Sequence, residues 1–303
     1  MEKASQAPRV AVFTDKLDWH VEEMARAFEK LGAAVAPIRL AACKIDTTRP
    51  YGLAIPGFRA APPDVGVVRA IGDGTLEMIT MRLGVLHALS SLGVPMINEA
   101  RAIERCTDKA MASFLLGRAG IATPPTFVTQ SPSQARAIAR RECAKGPLVL
   151  KPLFGAQGWG LRLIRDERGL PRPEEIGGVY YMQKFVAPRG IPFEDKRILI
   201  SRGKIVAAML RRSNYWVTNL RQGATPIAIE PTAKEQDVAL RAVKALGADF
   251  AGVDLIAEDD GAPLVLEVNS MAGWSGLQRV TPFSIAERLA SDALDAIEPA
   301  CRP

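Results

Sequence analysis

Histidine is scarce in this chain: only His20 and His87 occur in 303 residues. The four cysteines, Cys43, Cys106, Cys143 and Cys301, never fall at CxxC spacing. A zinc site or a disulfide framework is therefore not expected, and the thiols read as buried or incidental. No apolar run approaches the ~20 residues that cross a bilayer. The opening MEKASQAPRV carries charges and a proline where a secretory signal would be apolar. These absences make a cytoplasmic address the expectation, with no membrane partner. Aromatic residues are only 6% of the chain, and the basic residues behind its +6 net charge are dispersed. Without a basic run interleaved with aromatics, nucleic acid is not the expected partner. The surplus suits a small polyanion such as a nucleotide, although a merely soluble surface would carry the same charge.

What is present is ample material for two or three packed units, with 48% hydrophobic and 24% charged residues. Residues 9–14 read as a strand, 20–32 as a helix with Val21, Met24, Ala25, Phe28 and Leu31 at helical spacing, and 33–40 as a second strand. Strands at 64–70 and 94–97 flank a helix from 76 to 92. This rhythm predicts a parallel sheet covered by helices, an α/β unit over 1–106. A helix over 107–120 is expected next, with Thr107 as N-cap and Gly120 as its stop. Strands at 126–129, 147–152 and 179–186 and a helix at 131–141 make an α+β unit over 107–188. From 189 to 303 the pattern is strand-rich. Strands at 197–201 and 204–211 meet at Arg202-Gly203, and strands at 251–257 and 263–268 meet across Asp259-Asp260-Gly261. Helices are expected at 232–246 and 284–297.

Two stretches carry chemistry. In 148–164 (LVLKPLFGAQGWGLRLI), Gly155, Gly158 and Gly160 lie between two strands. Glycine lets backbone N–H groups approach phosphate oxygens without a Cβ in the way. A dinucleotide-binding turn would open a helix, whereas an alternating strand follows here, and no GxxxxGK[ST] occurs. A hairpin folding over a triphosphate fits, with Lys151 meeting a phosphate; an exposed flexible hairpin with a solvated lysine fits these residues as well. In 264–269 (LVLEVN), Glu267 and Asn269 are two apart on a strand and share a face, and Asp254 lies on the adjoining strand. Two carboxylates in an otherwise apolar place call for a cation, unless both reach solvent at strand ends. Oxygen ligands select Mg²⁺ or Mn²⁺, which would bridge ATP phosphates.

Together these residues resemble the ATP-grasp superfamily and, within it, the RimK-type glutamate ligases. The resemblance spans Asp108-Lys109, the Lys151 strand and its loop, Gln183-Lys184-Phe185, Asp195-Lys196-Arg197, Asn219 with Gly223-Ala224, and Glu267-Val268-Asn269-Ser270. The segment 267–278 (EVNSMAGWSGLQ), with Val68-Arg69, Gly74 and Glu77, is similar to the branch that adds glutamate to coenzyme F420 and tetrahydromethanopterin. It implies an ATP-grasp fold behind an N-terminal Rossmann-like domain, and a homodimer or homotetramer. It also implies that Lys109, Lys151, Gly155, Gln157 and Gly158 meet ATP phosphates. Gln183, Lys184 and Phe185 would form the adenine hinge, with Asp195 near the ribose and Thr218 and Asn219 lining the nucleotide. Asp254, Glu267 and Asn269 would hold magnesium. Lys184 departs from the family pattern, which places an acidic residue there.

The implied reaction joins a small-molecule carboxylate to the amine of an amino acid, glutamate being the one the branch implies, through an acyl phosphate. Such chemistry needs alignment and charge neutralisation rather than a strong base. Arg211 and Arg221 are candidates for binding the acyl phosphate or the glutamate carboxylates through a planar fork, or else structural ion-pair partners. Arg69, at a strand end of the first unit, is the candidate holder of the acceptor. Two other outcomes fit the same residues: a ligase that adds glutamates to a protein tail, and an ATP-binding regulator without catalysis.

Overall fold

The computed structural model describes residues 7–155, 157–186, 190–257 and 261–297. The expected turn at Asp259-Asp260 and the thiol of Cys301 lie outside them. The first unit runs β1 (Arg9–Phe13), α1 (Trp19–Lys30), β2 (Ala34–Ile38), a small hairpin of β3 (Lys44–Ile45) and β4 (Leu53–Ala54), β5 (Val65–Val68), α2 (Leu76–Ser91) and β6 (Met96–Ile97). Its sheet is ordered β2-β1-β5-β6 with every pair parallel. The apolar run of β5 is buried throughout, as a central strand covered on both faces must be. Helix α1 starts where the Asp18 side chain accepts from the Val21 N–H, and it buries Val21, Met24, Ala27 and Phe28 along one stripe.

The chain continues through α3 (Ala100–Thr107), α4 (Lys109–Arg118), β7 (Thr126–Thr129), α5 (Pro132–Cys143), β8 (Leu148–Lys151), β9 (Arg162–Ile164) and β10 (Tyr180–Lys184). Thr107 is not the N-cap expected of it. It ends α3, and Asp108 caps α4 instead, its carboxylate accepting from the N–H groups of Ala110 and Met111. A carboxylate there also complements the helix dipole, which a threonine hydroxyl does not. The antiparallel sheet β7-β10-β8-β9 packs one face on α5 through Ala135, Ala139, Leu148, Leu150, Tyr180 and Met182. Strand alternation sends Val149, Lys151, Tyr181 and Gln183 to the other face.

The third portion comprises β11 (Phe193–Ser201), β12 (Lys204–Ser213), β13 (Thr225–Ala228), α6 (Ala233–Leu246), β14 (Phe250–Ala257), β15 (Pro263–Asn269), α7 (Ser275–Gln278) and α8 (Ile285–Leu294). The sheet β13-β12-β11-β14-β15 is antiparallel. Helix α6 lies in the expected 232–246 stretch; it opens with a Thr232–Glu235 capping box and stops at Gly247 in the left-handed region. Arg202 and Gly203, the predicted turn, both take positive φ between β11 and β12.

The first and third portions share one apolar core. Val10, Val12, Val21, Met24 and Phe28 pack with Leu199, Met209, Trp274, Ile285 and Leu289. Fully burying each such side chain stabilises the fold by roughly 1.5–3 kcal/mol. At this junction the buried Asn98 amide donates to the carbonyls of Phe250 and Ser270, at 2.7 and 2.6 Å. Its carbonyl accepts from the N–H groups of Asp249 and Phe250, at 2.7 and 2.8 Å. Substituting Asn98→Ala strips partners from four backbone groups, so we expect a stability loss on the order of 3–5 kcal/mol, read by urea denaturation. A loss below about 1 kcal/mol would mean that water replaces the amide at no cost.

Candidate active site

The face of the five-stranded sheet turned away from α6 carries a row of charges. Asp195 and Arg197 are two apart on β11; Arg211 lies opposite Asp195 on β12, Asp254 opposite Arg197 on β14, and Glu267 opposite Asp254 on β15. The β14–β15 register shifts between Asp254 and Leu255, so that Leu266 has no cross-strand partner. That bulge changes the alternation: Val265 and Val268 both face the α6 core, while Glu267 and Asn269 face the cleft.

Within the row, Arg197 forks onto Asp254, with Nε to Oδ1 at 2.7 Å and Nη2 to Oδ2 at 2.6 Å. Arg211 forks onto Asp195, with Nε to Oδ1 at 2.6 Å, and its Nη2 also reaches Asp254 Oδ2 at 3.1 Å. Burial would raise the Asp254 carboxyl, but the two guanidinium groups outweigh it and hold it below the usual carboxylate range.

Two lysines face this row. Lys109, in the first turn of α4, donates to the Gly155 carbonyl at 2.8 Å and lies 3.5 Å from Glu267 Oε1. Lys151, closing β8, donates to Gln183 Oε1 at 2.6 Å, and Gln183 in turn donates to the Thr126 hydroxyl at 3.0 Å. Burial lowers the Lys151 ammonium to about 8, partly offset by Glu267 and Asp254. The glycine loop beyond Lys151 lies against residues 217–222. Gly158 has φ +73, and a Cβ there would come within 2.7 Å of Val217 Cγ1 and 2.8 Å of Gln222 Nε2, so only glycine fits. Ala156 of this loop lies outside the described residues. Beside the row opens a cleft of about 400 Å³ walled by Phe185, Trp216, Ile256 and Leu266, with Asp195 and Thr218 at its edge. The Phe185 and Trp216 rings stand 6.0 Å apart at 80°. An apolar slot beside a cationic bed, under a glycine loop, has the chemistry of a nucleoside triphosphate site.

The model of the RimK-like ATP-grasp domain matches residues 106–293. The chain belongs to the RimK-like ATP-grasp family. It is an ATP-dependent carbon–nitrogen ligase. It is 31% identical over 295 residues to the tetrahydromethanopterin:alpha-L-glutamate ligase of Methanococcus maripaludis, covering 95% of this chain and 98% of that one. It is 30% identical over 280 residues to a probable alpha-L-glutamate ligase of Hahella chejuensis, covering 88% of each. The fold matches that of the ATP-grasp ligase PsnB complexed with minimal precursor, Mg and ADP, with TM-score 0.74 and 20% identity over 96% of this chain and 97% of that one.

Within the ligase, the sequence-derived residues distribute unevenly. Lys109, Lys151, Asp254 and Glu267 are brought together, and Phe185, Asp195 and Thr218 border the slot. Lys184, expected at the adenine hinge, turns its side chain to the opposite face of β10. There its ammonium donates to the carbonyls of Glu142, in the last turn of α5, at 2.6 Å, and of Gly146, just beyond it, at 3.2 Å. Strand alternation compels this once Gln183 faces the cleft. The Gln183 side chain supports Lys151, so of the expected hinge only Phe185 lines the slot. Asn219 uses its Oδ1 to cap the turn at Arg221, at 2.9 Å. Gln157 offers a carbonyl to Gln222. The forks of Asp195 and Arg211 are spent on each other, which is the ion-pair alternative for Arg211. Arg221 is exposed, and its charge reaches His20.

Arg69 sits at the end of β5 with its guanidinium 4.6 Å from the Trp274 ring centroid and 5.8 Å from that of Phe250. Its Nε and Nη1 are buried without protein partners. Burial lowers it to about 10, leaving it charged at neutral pH. His20, which no sequence pattern singled out, holds the neighbouring segment: its Nε2 accepts from the N–H groups of Trp274 and Ser275 at 3.1 and 3.2 Å. That arrangement puts the proton on Nδ1, facing Asp18.

For a divalent ion, the donor set fits at Glu267 and Asn269. Glu267 is half-buried at the cleft, and Asn269, two residues further along β15, shares its face. Both are hard oxygen donors of the kind magnesium takes. Asp254 completes the set only by releasing Arg197. An anion beside Lys151 must raise its lowered pKa, so nucleotide binding at about pH 8.5 should take up a proton, and binding near pH 6.5 should not. Calorimetry in buffers of different ionisation enthalpy reads this directly. Equal heats at the higher pH would show that Lys151 is already charged or does not meet the phosphates.

Proposed function

We propose that this chain is an ADP-forming acid–amino acid ligase that adds L-glutamate to a carboxylate of a pterin-type one-carbon carrier or a related coenzyme. The observation that carries the reading is the cleft's composition. Lys109, Lys151, Arg197 and Arg211 confront Asp195, Asp254 and Glu267, so the bed is one charge positive before any ligand enters. Alignment over 95% of the chain with a tetrahydromethanopterin:alpha-L-glutamate ligase supports the choice of acceptor class and amino acid.

In this reading the nucleotide base lies in the apolar slot that Phe185, Trp216, Ile256 and Leu266 wall. Lys109 and Lys151 hold the phosphates, and the glycine loop covers them and excludes water. Asp254, Glu267 and Asn269 would hold a divalent ion, which would supply further neutralisation of phosphate charge. The acceptor carboxylate, steered by Arg69, attacks the γ-phosphorus, and ADP leaves with the bond's electron pair. The lysines stabilise the charge on the resulting acyl phosphate, while Arg211, paired with Asp195, contributes at longer range through its positive charge. The amine of glutamate then attacks the acyl carbon, inorganic phosphate departs, and the nitrogen loses a proton to solvent. Arg221, exposed at the rim, binds a glutamate carboxylate. Residues 107–188 would act as the covering lobe between the flanking units 1–106 and 189–303. A homodimer or homotetramer in the cytoplasm completes the proposal, subunit number being readable by light scattering.

Mass spectrometry of candidate coenzymes incubated with protein, ATP, magnesium and glutamate should show the gain of a glutamyl unit. Glutamylation of a protein tail with every small acceptor left untouched would transfer the activity to a polypeptide substrate. Lys151→Ala and Glu267→Ala should each remove acceptor-dependent ADP release by about 100-fold or more while the far-ultraviolet spectrum stays unchanged. Full turnover in either variant would refute the site.

A further inference from the structure

Arg197 is a cleft residue to which the reaction above assigns no step. It stands opposite Asp254 in the β11–β14 register and satisfies both carboxylate oxygens through a planar fork. Both partners are largely buried, at 14% and 7% side-chain exposure. The seat for Arg197 is built into the sheet. Its stem crosses Gly252, where a Cβ would lie 3.6 Å from Arg197 Cδ and Nε and only 2.9 Å from Ala272 Cβ. A divalent ion approaching Asp254 therefore meets a carboxylate whose two oxygens are both already engaged, with Arg211 as a second occupant of Oδ2 at 3.1 Å.

We propose that Arg197 is a counter-ion that occupies Asp254 until nucleotide arrives, so that the divalent ion enters together with nucleotide and not before it. The proposal rests on the reading of Asp254, Glu267 and Asn269 as metal ligands. Its physical basis is charge. An ion that displaces Arg197 unaided strands a guanidinium in a buried place beside further cations, Arg211 among them, which is unfavourable. A triphosphate supplies the anion with which the released guanidinium pairs, so the exchange becomes favourable only when both ligands bind. Linkage then requires that nucleotide and ion strengthen each other's binding. Arginine suits this role better than lysine, because a fork covers both carboxylate oxygens where an ammonium covers one.

The test is titration of nucleotide-free protein with Mn²⁺ alone, free ion being followed by electron paramagnetic resonance, with thermal melts run in parallel. Arg197→Gln should bind Mn²⁺ about tenfold or more tightly than the wild type, and Arg197→Lys should fall between them. Adding ADP should shrink the difference. Combining Asp254→Asn with Arg197→Gln should abolish the gain. Equal Mn²⁺ affinity in the wild type and Arg197→Gln, with Glu267→Gln still weakening it, would overturn the counter-ion role while leaving the metal site standing. Affinity indifferent to both Asp254→Asn and Glu267→Gln would instead overturn the metal reading itself. Should Arg197→Gln fail to fold, Arg197→Lys carries the test alone, and unchanged affinity in it overturns the proposal.

Discussion

The arrangement on which the active site depends is the cross-strand pairing of Asp195 with Arg211 and of Arg197 with Asp254. Carboxylates and guanidinium groups in a sheet largely closed to water are tolerated only when each fills the other's hydrogen-bonding capacity. The strand register supplies this by placing opposite charges directly across from one another. Everything else in the cleft is arranged around the row: Lys109 and Lys151 face it, the slot walled by Phe185 and Trp216 opens beside it, and the glycine loop lies above. Because the paired charges fix one another, the two lysines are the groups whose state answers most readily to a ligand. The lowered pKa of Lys151 is the sign of that poise.

Much of the scaffold could be read from local sequence, because its signals are local. The parallel strands of the first unit, the helix over 232–246 and the turn at Arg202-Gly203 are legible from periodicity and turn chemistry. Helix boundaries were less so. Thr107 and Asp108 are both competent caps, and the choice fell to the residue whose charge also suits a helix start. Helix α3 was overlooked because its eight residues carry no apolar run beyond the stripe of Ala102, Ile103 and Cys106.

In the cleft, residue types were legible where partners were not. Glu267 and Asn269 sharing a face follows from strand spacing, but which face depends on the bulge at Leu266, and nothing in LVLEVN announces an unpaired residue. Lys184 could be misplaced for the opposite reason: a motif gives order along the chain, while alternation decides which side each member faces. The fork of Arg197 on Asp254 joins residues 57 apart in sequence and the Asn98 bonds join residues about 150 apart. Such long-range pairings have no signature in a single chain. His20 is similarly silent, since a lone histidine carries no spacing to read.

The shared core between the first and third portions has a mechanical consequence. Val10, Phe28, Leu199 and Trp274 interlock, and Asn98 pins the two sheets where they meet, so these portions form one stiff anvil. The lobe carrying β7 to β10 keeps a separate apolar centre on α5. A displacement of that lobe as a unit would leave both its own apolar centre and that of the anvil intact. The floor bearing Asp254, Glu267 and Arg69 is built on the shared core of the anvil, and the roof is not.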